Sequence, residues 1–356
     1  MLFVLILMGV LWAVGAAMKA PVRARLVMIG VLYAGVLVIQ LTLPAGSELR
    51  VATGESPAPW LMLGVAVALF WGYRRLLLGL RSRAAARAPA AEPTAPAAFR
   101  EVELERYARH IMLREVGGTG QRRLRDARVL VIGAGGLGSP ALLYLGAAGV
   151  GTLGIIDHDR VENSNLQRQI LHADARIGMP KVFSAQAAVE ALNPFVTVRP
   201  YNRHLTEDIA EELFGDYDMI LDGSDNFDTR ELANRAAVAT GKPLVSAAIA
   251  QWEGQIGVYH PATGGPCLAC VFPERPAPGL APSCAEAGVA APLPGVIGSM
   301  MAAEAMKLLT GAGAPLLGRL LIFDALEAES RTIRTRPAPA CRVCGGGAIV
   351  PAAAAG

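Results

Sequence analysis

Three apolar runs open the chain, at 2–18, 26–43 and 60–73; beyond residue 98 the pattern becomes short apolar stretches alternating with mixed ones. The second run has 18 residues, about 27 Å as a helix, enough to cross a hydrocarbon core. The first does not read as a leader peptide: no basic residues precede it, and its positive charges come after it without a small-residue cleavage site. The third meets Arg74 and Arg75 after 14 residues. It either continues to Leu80 with snorkelling arginines or lies in the interface. We read region 1–83 as about three transmembrane helices, the alternative being one or two spans and a peripheral third. Residues 84–98 (AAARAPAAEPTAPAA) form an Ala/Pro-rich tether with no core of its own.

From residue 99 to 356 the pattern predicts buried strands at 128–133, 152–157, 197–201, 219–222 and 244–248. Helices are predicted at 139–148, 181–192 and 229–240. Later come a strand at 255–259, a helix at 296–309, and strands at 318–324 and 329–334. Such alternation predicts an α/β fold, a Rossmann-like doubly wound sheet with an antiparallel β extension.

Charge refines this picture. Of 33 Lys+Arg and 30 Asp+Glu, residues 1–98 hold nine basic and three acidic; the rest hold 24 and 27. Nothing in the larger part is built for a polyanion, so no nucleic acid is expected as partner. Lys19, Arg23 and Arg25 lie between the first two runs, and Arg74, Arg75, Arg81, Arg83 and Arg87 come after the third. The positive-inside rule then predicts an inner (cytoplasmic) membrane protein whose larger domain faces the cytoplasm. The 53% hydrophobic fraction excludes disorder, and five Cys are too few for a disulfide scaffold.

The glycine loop Gly133-Ala-Gly135-Gly136-Leu-Gly138 comes after a strand and opens a helix. There, glycines let backbone approach a phosphate at a helix N-terminus. Asp157 ends the next strand, placed to accept ribose hydroxyls. These features alone suit a nicotinamide or flavin oxidoreductase. The residues beyond Asp157 favour a triphosphate instead. Asp157-His-Asp159-Arg-Val-Glu-Asn163-Ser164-Asn165-Leu166-Gln167-Arg168-Gln169 is polar, and Lys181 begins a helix after Pro180. Attack at an α-phosphorus needs cations around the developing charge and the leaving pyrophosphate. Arg168 and Lys181 suit that role, with Arg109 upstream as a third. Asp225 and Asn226 come after the strand at 219–222; Asp225 either holds magnesium or caps a turn.

At these residues the chain, from about Leu104 to Gly345, resembles the ThiF/MoeB/HesA family, relatives of ubiquitin-activating enzymes. The matching stretches are Arg106-Tyr-Ala-Arg109, VLVIGAGGLGSP, IIDHDRVENSNLQRQ, the GMPK ending at Lys181, the SDN at 224–226 and CAEAGVAAPLPGVIGSM. The resemblance implies ATP-dependent adenylation of the C-terminal glycine carboxylate of a small ubiquitin-like sulfur-carrier protein ending in Gly-Gly. It implies that Gly136 approaches the phosphates, that Asp157 takes the ribose, that Asn165, Arg168 and Lys181 contact the phosphates, and that Asp225 holds magnesium. The family's counterpart of Arg109 reaches the other subunit's active site, which implies a homodimer. Two departures stand out: Arg109-His110 where the family usually has Arg-Gln, and the added membrane region.

Cys267-x-x-Cys270 and Cys341-x-x-Cys344 can present four thiolates to one ion, the pattern of structural zinc. The rivals are an iron–sulfur cluster or two redox pairs; the family, which often carries a four-cysteine site, agrees with zinc. Cys284 is left over: either it attacks the acyl-adenylate or it is a bystander in a crossover loop. A carboxylate is already ionised at neutral pH, so no general base is required. His110, His158, His172, His204 and His260 are therefore read as structural or surface residues. Other readings remain open: activation of a carboxylate on modified tRNA, a dinucleotide-dependent oxidoreductase, and a non-catalytic tethered scaffold that binds a carrier.

Overall fold

The computed structural model describes residues 2–18, 21–44, 46–54, 56–87, 99–275 and 288–345. Cys284 and most of the tether lie outside them. The chain divides into two units, Met1–Ala98 and Phe99–Gly356.

In the first unit the apolar runs become helices α1 (Leu2–Ala17), α2 (Val22–Thr42) and α4 (Ala58–Arg87), with a short α3 (Glu48–Thr53). Val4, Val36 and Trp60 pack together, and the Tyr33 hydroxyl donates to the Trp60 carbonyl at 2.6 Å. The connection between α2 and α4 is held by polar bonds. Gln40 Nε2 donates to the Arg50 carbonyl and Thr53 Oγ1 at 2.9 Å each, and Trp60 Nε1 to the Thr53 carbonyl at 3.0 Å. Among the described residues one helix, Arg23–Thr42, is long and apolar enough to cross a membrane, with mean hydropathy 2.0. Phe3–Ala17 is a shorter apolar helix. The third run merges into α4, which continues helically past Arg74 and Arg75 to Arg87.

In the second unit, strands β1 (Arg128–Ile132), β2 (Thr152–Ile156), β3 (Thr197–Tyr201), β4 (Met219–Asp222) and β5 (Leu244–Ala250) run parallel. The strands β6 (Glu253–Tyr259), β7 (Arg319–Asp324) and β8 (Glu329–Arg334) extend them antiparallel. The order is β3-β2-β1-β4-β5-β6-β7-β8, so successive strands are added outward in one direction from β1 to β3 and in the other from β4 onward. β1, β2 and β4 are buried on both faces, which is why they read as continuous apolar runs.

Helices α7 (Gly138–Ala148), α8 (Lys181–Leu192) and α12 (Leu293–Thr310) cover one face, with Leu142, Leu145, Val189, Ile297 and Met301 in the core. On the other face α9 (Glu207–Gly215) and α10 (Phe227–Thr240) pack Phe214, Ala233 and Ala237 against Leu130, Ile132 and Ile220. Two helices ahead of β1, α5 (Glu101–Ile111) and α6 (Gly117–Asp126), and the short α11 (Leu268–Val271) complete the unit.

Candidate active site

In a sheet whose strand order reverses at β1 and β4, a crevice must open beyond their C-terminal ends. A cleft of about 1520 Å³ lies there. The glycine loop forms one wall. Gly133 has φ +88°, and a Cβ on Gly138 would sit on the Gly133 carbonyl oxygen. The loop therefore turns sharply and packs its backbone against the start of α7, as only glycine allows. Gly138→Ala is expected to cost at least about 3 kcal/mol of stability, since backbone must move; thermal denaturation beside Gly136→Ala, whose Cβ would meet Pro294 at 3.1 Å, checks this.

Asp157, at the end of β2, accepts the Ala134 N–H through Oδ2 and the Asp159 N–H through Oδ1, each at 2.8 Å. Asp157 is thereby tied to the glycine loop. Lys181 opens α8 and is 6% exposed. Its ammonium donates to Asp159 Oδ2 at 2.8 Å. Burial opposes ionisation of Asp159, but Lys181, and then His158 and His204, hold its carboxyl below the usual range. Arg168 is half-buried and lines the cleft, and its guanidinium donates to the Ser164 carbonyl at 3.1 Å. No carboxylate pairs with it among the described residues, which leaves its charge for a ligand.

Asp225 is exposed in the cleft, and among the described residues its carboxylate accepts one hydrogen bond, from Asn226 Nδ2 at 3.4 Å. Asn226 Oδ1 accepts the Thr229 N–H at 2.9 Å and so caps α10, the turn-capping role weighed for Asp225. Beneath this loop, Asp222 is fully buried and accepts the Ser224 N–H at 3.0 Å and the Ser246 hydroxyl at 2.7 Å. Arg230 approaches it at 3.5 Å and donates to the Ser224 and Ala247 carbonyls at 2.8 and 3.0 Å. The buried Asp222 and the partly buried Arg230 together hold the loop that presents Asp225.

Gly133, Gly135, Gly136, Asp157, Asp159, Arg168, Lys181, Asp225 and Asn226 thus line one cleft. Gly138, Ser164, Asn165, Leu166, Gln167 and Arg109 do not line it. Asn165 Oδ1 accepts the Glu162 N–H at 3.1 Å and Ser164 Oγ donates to Glu162 at 3.2 Å, so both shape the turn that carries Arg168. Arg109 is exposed on α5. Sequence reasoning misses Gln169, which is 4% exposed, lines the cleft and has no partner for its Oε1 among the described residues. It also misses Asp222 and Arg230, whose signal is a carboxylate ending an apolar strand. His158 and His204 stack at the cleft with centroids 3.4 Å apart.

The four knuckle cysteines converge. Sγ–Sγ distances are 3.7 Å for Cys267–Cys270, 3.5 Å for Cys267–Cys341 and 3.4 Å for Cys270–Cys344, and all four lie within 4.8 Å. Four thiolates about 2.3 Å from one tetrahedral ion stand roughly 3.8 Å apart, whereas a disulfide needs about 2.05 Å. The geometry fits a shared ion. Burial pushes the Cys267 and Cys270 thiols up, whereas N–H groups of Cys344 and Val343 offset desolvation and bring Cys341 down to about 7.

The ThiF family model matches residues 107–343. The sulfur carrier protein adenylyltransferase of Thermus thermophilus is 53% identical over 247 residues, covering 68% of this chain and 91% of that protein. The SAMP-activating enzyme E1 of Haloferax volcanii is 48% identical over 247 residues, 69% of this chain and 91% of that one. The probable adenylyltransferase/sulfurtransferase MoeZ of Mycobacterium tuberculosis is 51% identical over 254 residues; the match spans 70% of this chain and 64% of MoeZ. Escherichia coli MccB, crystallised with MccA-N7isoASN, shares the fold with TM-score 0.59 and 22% identity over 68% of this chain and 74% of its own. With its glycine loop, acid and cations gathered in one cleft, the chain belongs to the ThiF family.

Proposed function

We propose that this protein uses ATP to adenylate the C-terminal glycine carboxylate of a small ubiquitin-like sulfur-carrier protein, releasing pyrophosphate. The observation that carries this is the half-buried Arg168, with no carboxylate paired to it among the described residues, beside Lys181 in the cleft that Asp157 and the glycine loop form. A dinucleotide's pyrophosphate does not require such cations around it; a triphosphate attacked at its α-phosphorus does.

In this reading the glycine loop takes the phosphates and Asp157 the ribose. The carrier's tail lies alongside β5 and β6, and its carboxylate, ionised at neutral pH, attacks in line. Arg168 stabilises charge developing on the α-phosphate, and Lys181, released in part from Asp159, neutralises the departing pyrophosphate. Asp225 would hold magnesium, which supplies further charge neutralisation on the phosphates. Asn165 acts through the turn that aims Arg168. Arg109, outside the cleft of its own chain, enters from a second copy in a homodimer. Zinc at Cys267, Cys270, Cys341 and Cys344 pins the C-terminal segment to α11 without taking part in the chemistry.

The T. thermophilus and H. volcanii relatives, named for carrier adenylation and SAMP activation, support the carrier as substrate over modified tRNA. ATP–pyrophosphate exchange with Gly-Gly proteins from the same cell tests it: exchange should require the carrier, and exchange without one, or NAD binding in place of ATP, overturns it.

The N-terminal unit anchors the enzyme to the inner membrane, with the catalytic domain in the cytoplasm. Exposed Val27, Val31, Val38 and Leu41 on α2 and the arginines after Tyr73 support this. A reporter fused to the C-terminus should be active in the cytoplasm; periplasmic activity would reject this topology.

A further inference from the structure

His172 comes after the polar run that Asp157 begins and is 7% exposed. Its Nε2 lies 2.9 Å from the Ala134 carbonyl oxygen and its Nδ1 2.9 Å from Ser184 Oγ. A carbonyl can only accept, so Nε2 carries the proton and donates, while Nδ1 accepts from the Ser184 hydroxyl. Burial lowers the basicity of the ring, in keeping with a neutral imidazole.

Both partners matter to the cleft. Ala134 sits inside the glycine loop, and its N–H is the group that donates to Asp157 at 2.8 Å. The two peptide groups that flank Ala134 are therefore both held, the 133–134 peptide through its N–H by Asp157 and the 134–135 peptide through its carbonyl by His172. Ser184 lies one helical turn after Lys181 on α8. Arg176 donates to its carbonyl at 2.8 Å and anchors that turn. His172 is thus a single ring spanning the loop that receives the phosphates and the helix that brings the lysine to them.

We infer that His172 is a positioning residue: it fixes the spacing between the glycine loop and the Lys181-bearing end of α8, so that ATP is met by both at once. The inference rests on the adenylation reading of the cleft. It assigns the ring no contact with substrate and no proton transfer. A histidine that merely filled the core would be replaceable by an apolar side chain. Here that replacement strands a buried carbonyl on the loop and a hydroxyl on the helix.

The test uses the full-length protein with His172→Gln, His172→Leu and Ser184→Ala. The glutamine amide nitrogen reaches the place of Nε2 and can donate to Ala134, whereas leucine cannot. Melting temperature, ATP affinity without carrier, and KM and kcat in carrier-dependent ATP–pyrophosphate exchange are measured. His172→Leu should weaken ATP binding about tenfold or more and lower kcat, with the KM for the carrier unchanged. His172→Gln should recover ATP affinity to within about threefold of wild type. Ser184→Ala, which needs no repacking, should lower kcat more than ATP affinity, because it frees only α8. Equal ATP affinities for the Gln and Leu variants, or a fall in melting temperature with ATP affinity and kcat intact in Ser184→Ala, would overturn the inference. Wild-type binding of ATP is read first: its failure removes the adenylation reading itself, whereas failure confined to the variants removes only the role of His172.

Discussion

Arg168→Ala should lower carrier-dependent adenylation by about 10²- to 10³-fold, chiefly in kcat. Among the described residues the guanidinium makes one hydrogen bond, to the Ser164 carbonyl at 3.1 Å, and no ion pair with a carboxylate. A cation held ready in this way contributes most when charge develops on the α-phosphate, which only the transition state supplies. Removing it leaves no buried partner unpaired, so the melting temperature should stay within roughly 2 °C of wild type. Exchange assays at saturating ATP together with thermal melts measure both quantities. Near-normal turnover would show that the cation has no such role.

Loss of the ion at the cysteine knuckles should be the largest stability effect. Cys267 is fully buried, and Cys270, Cys341 and Cys344 crowd it at sulfur separations that suit a shared ion. Without the ion, nothing else among the described residues closes the segment after β8 onto α11 with comparable strength. Metal analysis should find about one zinc per chain. Cys341→Ser, or chelation, should lower the melting temperature by roughly 10 °C or more. ATP affinity below the new transition should largely persist, because none of the four cysteines lines the cleft, to which α11 and its C-cap contribute only Leu268 and Phe272. An iron–sulfur spectrum, or an unchanged melt after zinc is removed, would contradict this assignment.

β1, β2 and β4 are legible because burial on both faces leaves uninterrupted apolar runs, while the predicted strands at 197–201, 219–222 and 329–334 coincide with β3, β4 and β8. The helices α5, α6 and α9 do not stand out in the pattern. In α6 the three glycines of GGTGQRRLRD weaken helix propensity; the segment is helical with Gly120, Gln121 and Leu124 buried, which tertiary packing decides. α9 comes from topology instead, since parallel β3 and β4 need a crossover between them. Strand β5 runs two residues beyond the predicted 244–248, through Ile249 and Ala250, because it pairs with β6 as a hairpin that turns where Gln251 takes φ +50°.

Within the site, local motifs are readable and long-range partners are not. Asp157, Arg168 and Lys181 stand in a polar run after a glycine loop, a pattern that sequence spacing carries. The Lys181–Asp159 pair, the support of Asp222 by Ser246 and Arg230, and the contact of His172 with Ala134 join residues from separate elements. Of the five histidines read as structural or surface, His172 is buried against the glycine loop, while His158 and His204 lie exposed at the cleft.

The most direct test is intact-mass analysis of a Gly-Gly carrier incubated with this enzyme, ATP and magnesium. The account predicts that the carrier gains one AMP at its C-terminus, and that a carrier lacking its final glycine gains none. AMP attached elsewhere on the carrier, or no addition by an enzyme shown to bind both partners, would contradict it.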